Sequence, residues 1–332
     1  MGAGVQGRRF GAIDCGTNSI RLLIGEVVEV GGDVAPEIKE LNRDNIIVRL
    51  GQGVDATGRF APEALERVRE ALEVYVERML EYGVEDVMMG ATSATRDAAN
   101  RDEFFAMTAE LLGRVREGAQ AEVISGEKEA ELSFAGAVMD LPAGQGPFHE
   151  NVCVIDLGGG STEFVLHGPG REPQAFSADM GCVRITEKFL HTEPPTSQEI
   201  AGARTFVSEW MKTVREHVDL GAVDRVVGVA GTMTTMAAIA KGMDSYDPTA
   251  THMARLPLET IRDVAHSLLA ATPTQRLNHG PMHPGRADVI GGGAVVVDAF
   301  TSYFLDRGLV EITVSEKDIL DGILAEVIRR NA

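Results

Sequence analysis

The feature that most constrains this chain is a glycine-containing turn that occurs twice, each time between two apolar stretches. The later copy, residues 153–163, reads Cys-Val-Ile-Asp-Leu-Gly-Gly-Gly-Ser-Thr-Glu, and strand-forming residues resume at Phe164. The earlier copy, residues 12–24, reads Ala-Ile-Asp-Cys-Gly-Thr-Asn-Ser-Ile-Arg-Leu-Leu-Ile. Because β-prone residues lie on both sides of each turn, both copies predict β-hairpins.

The two copies align at an offset of 142 residues, which places Asp14 on Asp156 and Arg21 on Glu163. A second match, between residues 84–93 and residues 223–232, has an offset of 139. Either match alone could be chance. Two matches in the same order at nearly equal spacing predict a duplicated domain.

The turn itself has the chemistry of a phosphate site. Glycines let backbone N–H groups approach an anion closely because no Cβ stands in the way, and Ser161 and Thr162 add hydroxyl donors. Asp156 and Glu163 could hold a divalent cation directly or through water. A tight turn between two core strands is the alternative interpretation, and the second copy of the turn favours the phosphate site.

A second candidate site lies at residues 91–100, where a strand is predicted to give way to a helix that continues through Glu103 to Val115. Helix capping by Thr92, Ser93 or Thr95 would explain the hydroxyl groups. It would not explain Arg96 in the first turn, where the helix dipole disfavours a cation. We therefore favour an anion site here.

A helix is predicted to begin at Ser125, and its first turn is acidic. A solvent-exposed helix accounts for Glu127 and Glu131. Glu129 would differ only if it pointed inward, which the spacing alone does not decide. Farther along, His279 and His283 lie among glycine and proline residues, so no helix presents both to zinc and we interpret them as loop residues.

Composition excludes several classes of protein. The chain has 332 residues, enough for two domains, and a net charge of −19, which argues against broad binding to nucleic acid or anionic membranes. Its three cysteines and the lack of an apolar N-terminal stretch predict a protein of a reducing compartment, the cytoplasm. No apolar run is long enough to span a bilayer.

The pattern of apolar residues and turns in the first half of the chain predicts the element order β-β-β-α-β-α. This plan, duplicated and with paired glycine hairpins, resembles the actin/Hsp70/sugar-kinase superfamily. Four motifs more closely resemble the exopolyphosphatase/guanosine pentaphosphate phosphohydrolase family, and they occur in order across nearly the whole chain. The motifs are Ile13-Asp14-x-Gly16-Thr17-Asn18-Ser19-x-Arg21-Leu22, Thr92-Ser93-Ala94-x-Arg96-Asp97-Ala98-x-Asn100, Ile124-Ser125-Gly126-x-x-Glu129-Ala130 and Asp156-x-Gly158-Gly159-Gly160-Ser161-Thr162-Glu163. Each is weak alone, and together they are specific.

The resemblance implies an α/β fold of two duplicated RNase H-like domains with an active-site cleft between the domains. We expect the domains to be residues 1–126 and 127–332, with the C-terminal helix, 316–332, as a candidate to pack back on the first domain. Long members of the family carry additional C-terminal domains, and the expectation here is the short, two-domain form. A homodimer is also expected from this likeness.

The resemblance also implies roles for individual residues. Glu129 matches the general base that acts on the attacking water, and Arg96 is the second catalytic residue. The residues implied to hold phosphate are Asn18, Ser19, Arg21, Thr92, Ser93, Gly158, Gly159, Gly160, Ser161 and Arg286. Asp14, Asp156 and Glu163 are implied to hold Mg²⁺, with Mn²⁺ as the second possibility. Such a division suits phosphoryl transfer, which needs charge neutralisation and a positioned nucleophile.

The implied reaction is the release of terminal phosphate from inorganic polyphosphate. We expect short chains to be preferred, because a long polyanion needs an extended basic track that a chain at −19 does not provide. Removal of the 5′-phosphate from guanosine pentaphosphate is the first alternative. A catalytically weak alarmone-binding protein is the second, and an ATP-dependent kinase or chaperone on the same fold is the third.

Overall fold

The structure, a computed structural model, describes residues 7–28 and 37–332. It divides into two compact units. The first comprises the described residues up to 125 together with residues 320–332, and the second comprises residues 126–319. The loop that the sequence predicts at residues 31–33 lies outside the described residues.

The described residues form two mixed sheets with helices packed against them. The strands are β1 (Arg8–Cys15), β2 (Ser19–Val28), β3 (Glu37–Ile47), β4 (Asp86–Ala91), β5 (Ala121–Val123), β6 (Val152–Leu157), β7 (Thr162–His167), β8 (Gln174–Ala178), β9 (Arg225–Val229), β10 (Ala254–Pro257) and β11 (Glu311–Val314). The helices are α1 (Val54–Thr57), α2 (Pro62–Tyr82), α3 (Ser93–Asp97), α4 (Arg101–Leu112), α5 (Gly126–Ala137), α6 (Cys182–Phe189), α7 (Ser197–His217), α8 (Ala230–Ala240), α9 (Pro248–Thr251), α10 (Leu258–Ala270), α11 (Pro273–Arg276), α12 (Ile290–Leu305) and α13 (Ile319–Arg330).

The first unit contains a five-stranded sheet in the order β3-β2-β1-β4-β5. Strands β1, β2 and β3 are antiparallel neighbours, and β4 and β5 run parallel to β1. Helix α2 begins at Pro62 and ends at Tyr82, and the left-handed conformation of Gly83 closes it, as a first-turn proline and a glycine after the last turn predict. Its apolar face, including Val68 and Leu72, is buried in the core of this unit.

The second unit repeats this topology with one strand added. Its sheet has the order β8-β7-β6-β9-β11-β10, in which β6, β7 and β8 are antiparallel and β9 and β11 run parallel to β6. The register repeats as well, because Asp14 pairs with Gly90 and Asp156 pairs with Val229. The two sequence matches align Asp14 with Asp156 and Gly90 with Val229, so both copies use the same strand pairing and the predicted duplication is confirmed.

Both predicted hairpins are present, as β1–β2 and as β6–β7. In each unit, the first strand of the hairpin also lies beside a parallel strand, β4 or β9. The carboxyl ends of parallel strands meet at one edge of a sheet, which is where open α/β sheets bind ligands.

Among the described residues, no helix is both long enough and apolar enough to cross a membrane.

Candidate active site

The glycine turn of the second unit is held from one side by the first turn of α6. The N–H groups of Cys182, Val183 and Gly181 donate to the carbonyl oxygens of Gly158, Gly159 and Gly160 at 3.0, 2.8 and 3.1 Å respectively. In a planar trans peptide the carbonyl group and the following N–H group point in opposite directions. The N–H groups of residues 159–161 therefore point away from α6, as three neighbouring donors suited to an anion.

The contact between this turn and α6 leaves no room for a side chain. A Cβ added at Gly181 would lie 2.3 Å from the carbonyl carbon and oxygen of Gly159 and 2.5 Å from the carbonyl carbon of Gly160. The Nε of Arg184 donates to the carbonyl oxygen of Gly160 at 2.9 Å. The backbone of the turn is thus fixed by direct contact with the start of a helix.

The turn of the first unit has the same design with a different partner. The N–H groups of Val48 and Arg49 donate to the carbonyl oxygen of Asn18 at 3.0 and 2.9 Å, and that of Gly51 donates to the carbonyl oxygen of Thr17 at 2.8 Å. By the same peptide geometry, the N–H groups of residues 18 and 19 point away from the segment 48–51. This segment lies outside the four sequence motifs.

The two hairpins differ in charge at one equivalent position. Asp14 lies opposite Arg21 in β1–β2, and the Nη2 and Nε atoms of Arg21 donate to Oδ2 of Asp14 at 2.7 and 3.0 Å. Asp156 lies opposite Glu163 in β6–β7, so two carboxylates face each other there. In the first hairpin the aspartate therefore has a cationic partner, Arg21. In the second hairpin the equivalent position holds a glutamate, Glu163.

Three of the buried carboxylates of the second unit belong to predicted site residues. Glu129 on α5, Asp156 and Glu163 are 8%, 6% and 1% exposed. On α5, Glu127 and Glu131 are exposed, which confirms their interpretation as surface residues and shows that Glu129 points inward. The pKa of Glu163 is raised well above its usual range, first by burial and then by the negative charges of Glu129 and Asp156. The three groups therefore interact as one cluster.

Two serine hydroxyl groups outside the four sequence motifs contact this cluster. Ser133 donates to Oδ2 of Asp156 at 2.6 Å, and Ser177 donates to Oε1 of Glu163 at 2.7 Å. Ser133 follows Glu129 by four residues, so helical spacing was a usable signal for it. Ser177, in β8, lies opposite Glu163 of β7, and no pattern within a short stretch of sequence predicts this contact.

The prediction that Arg96 lies in the first turn of a helix is wrong. The helix predicted to continue from residue 93 is broken, and Arg96 lies in the last turn of the short helix α3, where a cation is favoured. Its Nη1 donates to the carbonyl oxygen of Ile124 at 2.8 Å, just before α5 begins. Thr92, at the N-cap, makes no side-chain capping bond, and its N–H donates to the carbonyl oxygen of Cys15 at 3.2 Å. Thr92 and Ser93, both buried, thus follow β4 beside the first glycine turn.

Arg286 lies at the turn that enters α8. Its Nη1 donates to Oγ1 of Thr235 at 2.8 Å, and its guanidinium group covers the Cα of Gly231, where an added Cβ would lie 2.2 Å from Nη2. His279 and His283 precede it outside any helix, as predicted. Arg286 is therefore next to the counterpart, in the second unit, of the turn at residues 92–96.

The sequence profile of the Ppx/GppA phosphatase family matches residues 27–330. The chain belongs to this family. It is 52% identical over 316 residues to Exopolyphosphatase 2 of Mycobacterium tuberculosis, and the match covers 95% of this chain and 97% of that protein. It is 33% identical over 322 residues to the bifunctional 3-dehydroquinate synthase/phosphatase of Fusobacterium nucleatum, and this match covers 95% of the chain and 46% of that longer protein.

Solved structures of the family share the fold. An exopolyphosphatase-like protein superimposes with a TM-score of 0.87 at 39% identity, covering 98% of this chain and 100% of that one. The Ppx/GppA family member of Aquifex aeolicus superimposes with a TM-score of 0.75 at 28% identity, covering 98% and 99% of the two chains. The predicted fold class, a duplicated RNase H-like α/β fold of the actin/Hsp70/sugar-kinase superfamily, is confirmed.

The donor atoms of the cluster suit the metal expected for this Ppx/GppA member. Among the described residues, no three histidine, cysteine or acidic side chains converge closely enough to form a complete metal site. Mg²⁺ does not require one, because it keeps several waters and binds one or two carboxylates together with substrate phosphates. Asp156 and Glu163 provide such hard oxygen ligands, whereas Asp14 is engaged by Arg21. The metal roles of all three residues stay predictions.

The Asp14–Arg21 pair leads to a test of what Arg21 does. Arg21→Gln removes the guanidinium partner of a buried carboxylate, and we expect the free energy of unfolding to fall by about 3 kcal/mol. The double variant Asp14→Asn/Arg21→Gln should recover most of that loss in urea denaturation. If Arg21 also binds phosphate, as predicted, the KM for substrate stays raised in the double variant. Equal destabilisation of the single and double variants would contradict the pairing.

Glu163→Gln should stabilise the metal-free protein. A raised pKa means that the folded state holds the proton of Glu163 to a higher pH than the unfolded chain, whose value is near 4.5. Stability is therefore highest below that value and is lost as pH rises through the folded pKa. In EDTA at about pH 7 to 8, we expect Glu163→Gln to raise the Tm by about 2–4 °C and to flatten its decline with pH. Calorimetric scans at several pH values measure both effects, with the exposed Glu127→Gln as control. Parallel Tm curves for variant and parent would refute this.

Proposed function

We propose that this protein is an exopolyphosphatase, which hydrolyses the terminal phosphoanhydride bond of inorganic polyphosphate and releases orthophosphate. The observation that carries the proposal is the 52% identity, over almost the full length of both chains, to a protein named Exopolyphosphatase 2. The inward Glu129 and the outward-facing N–H groups of residues 159–161 provide the groups that this chemistry needs.

In the proposed reaction, Glu129 accepts a proton from the attacking water. Glu129 is buried and its charge acts on Glu163, and a carboxylate positioned in such a site can take a proton from water. The N–H groups of residues 159–161 bind the oxygens of the terminal phosphate, where negative charge is concentrated in the transition state. Mg²⁺, held by Asp156 and Glu163, would supply neutralisation of phosphate charge.

The remaining predicted ligands keep their roles within this proposal. The residues proposed to bind phosphate oxygens are Asn18, Ser19, Arg21, Thr92, Ser93, Arg96 and Arg286. For Arg21, Arg96 and Arg286 the structure adds a partner within the protein, namely Asp14, the carbonyl of Ile124 and Thr235. These contacts orient the guanidinium groups.

We expect short polyphosphates to be better substrates than long ones. The chain carries 50 acidic and 31 basic residues, and its net charge of −19 repels a long polyanion while local arginines hold a few phosphates. Phosphate release should be measured with Mg²⁺ over tripolyphosphate, size-fractionated long polyphosphate, guanosine pentaphosphate and ATP. We expect kcat/KM for tripolyphosphate to exceed that for long chains by at least about tenfold. A higher kcat/KM for long chains would overturn the chain-length preference alone.

The same panel decides between this function and its alternatives. Faster release from guanosine pentaphosphate than from any polyphosphate would identify an alarmone phosphatase. Tight binding of guanosine tetraphosphate with no phosphate release from any substrate would identify an alarmone-binding protein. Phosphate release from ATP, and from no other substrate of the panel, would support the kinase or chaperone alternative.

Two further parts of the proposal concern assembly and location. The homodimer expected from family likeness is tested by light scattering on the purified protein. A cytoplasmic location is supported by the three cysteines, which are buried and unpaired as thiols in a reducing compartment are.

A further inference from the structure

Two serine hydroxyls hold the carboxylates of the second hairpin, and neither serine belongs to the four sequence motifs. Ser133 donates to Oδ2 of Asp156 at 2.6 Å, with both residues buried. Ser177 donates to Oε1 of Glu163 at 2.7 Å. A hydrogen bond between a hydroxyl and a carboxylate in a buried setting is short and strong, and it fixes the direction of the second carboxylate oxygen.

The two hydroxyls lie on either side of the carboxylate pair. Asp156, Glu163 and Ser177 occupy directly opposite positions on β6, β7 and β8, so their side chains form a row on one face of the sheet. Helix α5 packs against these three strands and brings Ser133 to the Asp156 end of the row. One hydroxyl thus comes from the sheet and the other from the helix above it.

The same helix carries Glu129. Ser133 follows Glu129 by four residues, and residues at this spacing lie on the same face of a helix. The start of α5 also rests on the row, because a Cβ added at Gly126 would lie 2.7 Å from the Cβ of Ser177. Contacts at Gly126 and Ser133 therefore fix the turn of α5 that holds Glu129 relative to Asp156 and Glu163.

We propose that Ser133 and Ser177 are positioning residues: they orient Asp156 and Glu163 toward a divalent cation and hold Glu129 in register with them. This inference rests on the proposed function for its reaction, but the arrangement also has a consequence for metal binding alone. Hydrogen-bond donors behind metal-binding carboxylates typically contribute about 10- to 100-fold to metal affinity or activity.

The test uses the full-length protein and two readouts. Ser133→Ala and Ser177→Ala should each lower kcat for tripolyphosphate by about 10-fold or more, with KM changed by less than about 3-fold. Each should also weaken the binding of Mn²⁺ by about 10-fold in calorimetry without substrate. Thr301→Val is the control, because Thr301 is a buried hydroxyl that donates to the carbonyl of Val297 within α12, and this variant should match the parent.

A matched pair of variants separates the effect of the Ser133 hydroxyl from the effect of side-chain volume. Ser133→Thr and Ser133→Val add the same volume at a fully buried position, and only the threonine retains a donor. We expect Ser133→Thr to exceed Ser133→Val by about 10-fold in kcat and in Mn²⁺ affinity, at equal Tm.

The outcomes distinguish the two proposals. Equal activity and equal Mn²⁺ affinity of the threonine and valine variants would overturn the positioning role. The parent protein could release no phosphate from any substrate and still bind Mn²⁺ more tightly than Ser133→Ala. That result would support the positioning role and overturn the proposed reaction. A parent that neither releases phosphate nor binds Mn²⁺ would overturn both.

Discussion

Glu129→Gln should lower kcat for phosphate release by about 10²- to 10⁴-fold while leaving KM for the same substrate within about 3-fold of the parent. Glutamine keeps the size of the side chain and can still accept a hydrogen bond, but it cannot take a proton from water. Because Glu129 is buried beside two other acids, the substitution also removes a negative charge from a repelling cluster. We therefore expect the variant to fold and to be at least as stable as the parent in metal-free buffer.

Helix α5 supplies matched controls for this variant. Glu127 and Glu131 lie two residues to either side of Glu129 and are exposed. Glu127→Gln and Glu131→Gln should keep kcat within about 2-fold of the parent, since a surface charge on a mostly solvated helix face contributes little. If Glu129→Gln retained more than about a tenth of the parent kcat, another group would have to be the general base.

Gly181→Ala should lower kcat/KM by about 100-fold. The backbone of Gly181 is extended, with φ −78° and ψ 164°, so alanine meets no conformational barrier there. Its Cβ would instead lie 2.3 Å from the backbone of Gly159, and backbone atoms cannot rotate away as side chains can. The turn must shift away from α6, which misaligns the N–H groups of residues 159–161. Loss of one such donor in an enzyme typically costs about 10²- to 10³-fold in kcat.

The same substitution should lower the free energy of unfolding by about 1–3 kcal/mol, as overpacking does. Gly202→Ala is the control, because Gly202 lies within α7 and a Cβ there would make ordinary contact with Phe189 at 3.5 Å. This control should gain stability by up to about 1 kcal/mol with unchanged activity, since alanine is the better helix former. Phosphate-release kinetics and urea denaturation on both variants provide the comparison, and full activity of Gly181→Ala would show that the turn does not need this contact.

Much of the fold follows from patterns within short stretches of sequence. Each hairpin is a local element, and its glycine turn and flanking β-prone residues are adjacent in the chain. The repeat then fixes the topology, because both copies use the same register between the hairpin strand and the next parallel strand. The inward direction of Glu129 was left open by the sequence, since burial depends on which strands lie beneath α5.

The position of Arg96 shows where such reasoning failed. The sequence between Ser93 and Leu112 contains no glycine or proline, and a continuous helix was expected. The chain instead becomes extended at Ala98, and the side chain of Asn100 bonds to both the N–H and the carbonyl of Phe60, at 2.8 and 3.2 Å. A contact between residues 40 positions apart thus overrides local propensity, and it moves Arg96 from the first turn of a long helix to the last turn of a short one.

Other parts of the site depend on neighbours far apart in the sequence. The segment 48–51 supports the first glycine turn through hydrogen bonds across about 30 residues, and Ser177 reaches Glu163 across a sheet. Strand register decides both contacts. Short motifs therefore identified the groups proposed to meet substrate, whereas the groups that hold them in place required the three-dimensional structure.

The return of α13 to the first unit has a consequence during synthesis on the ribosome. Ile323 and Leu324 pack beside Gly90 and Gly25, and Asp321 pairs with Arg43 at 2.6 Å. These residues emerge from the ribosome only after all of residues 126–319 have been translated. The polypeptide of the second unit is contiguous, so it can complete its structure while the first still lacks its last helix. A purified chain truncated after residue 319 should therefore resist proteolysis more strongly over residues 126–319 than over residues 37–125.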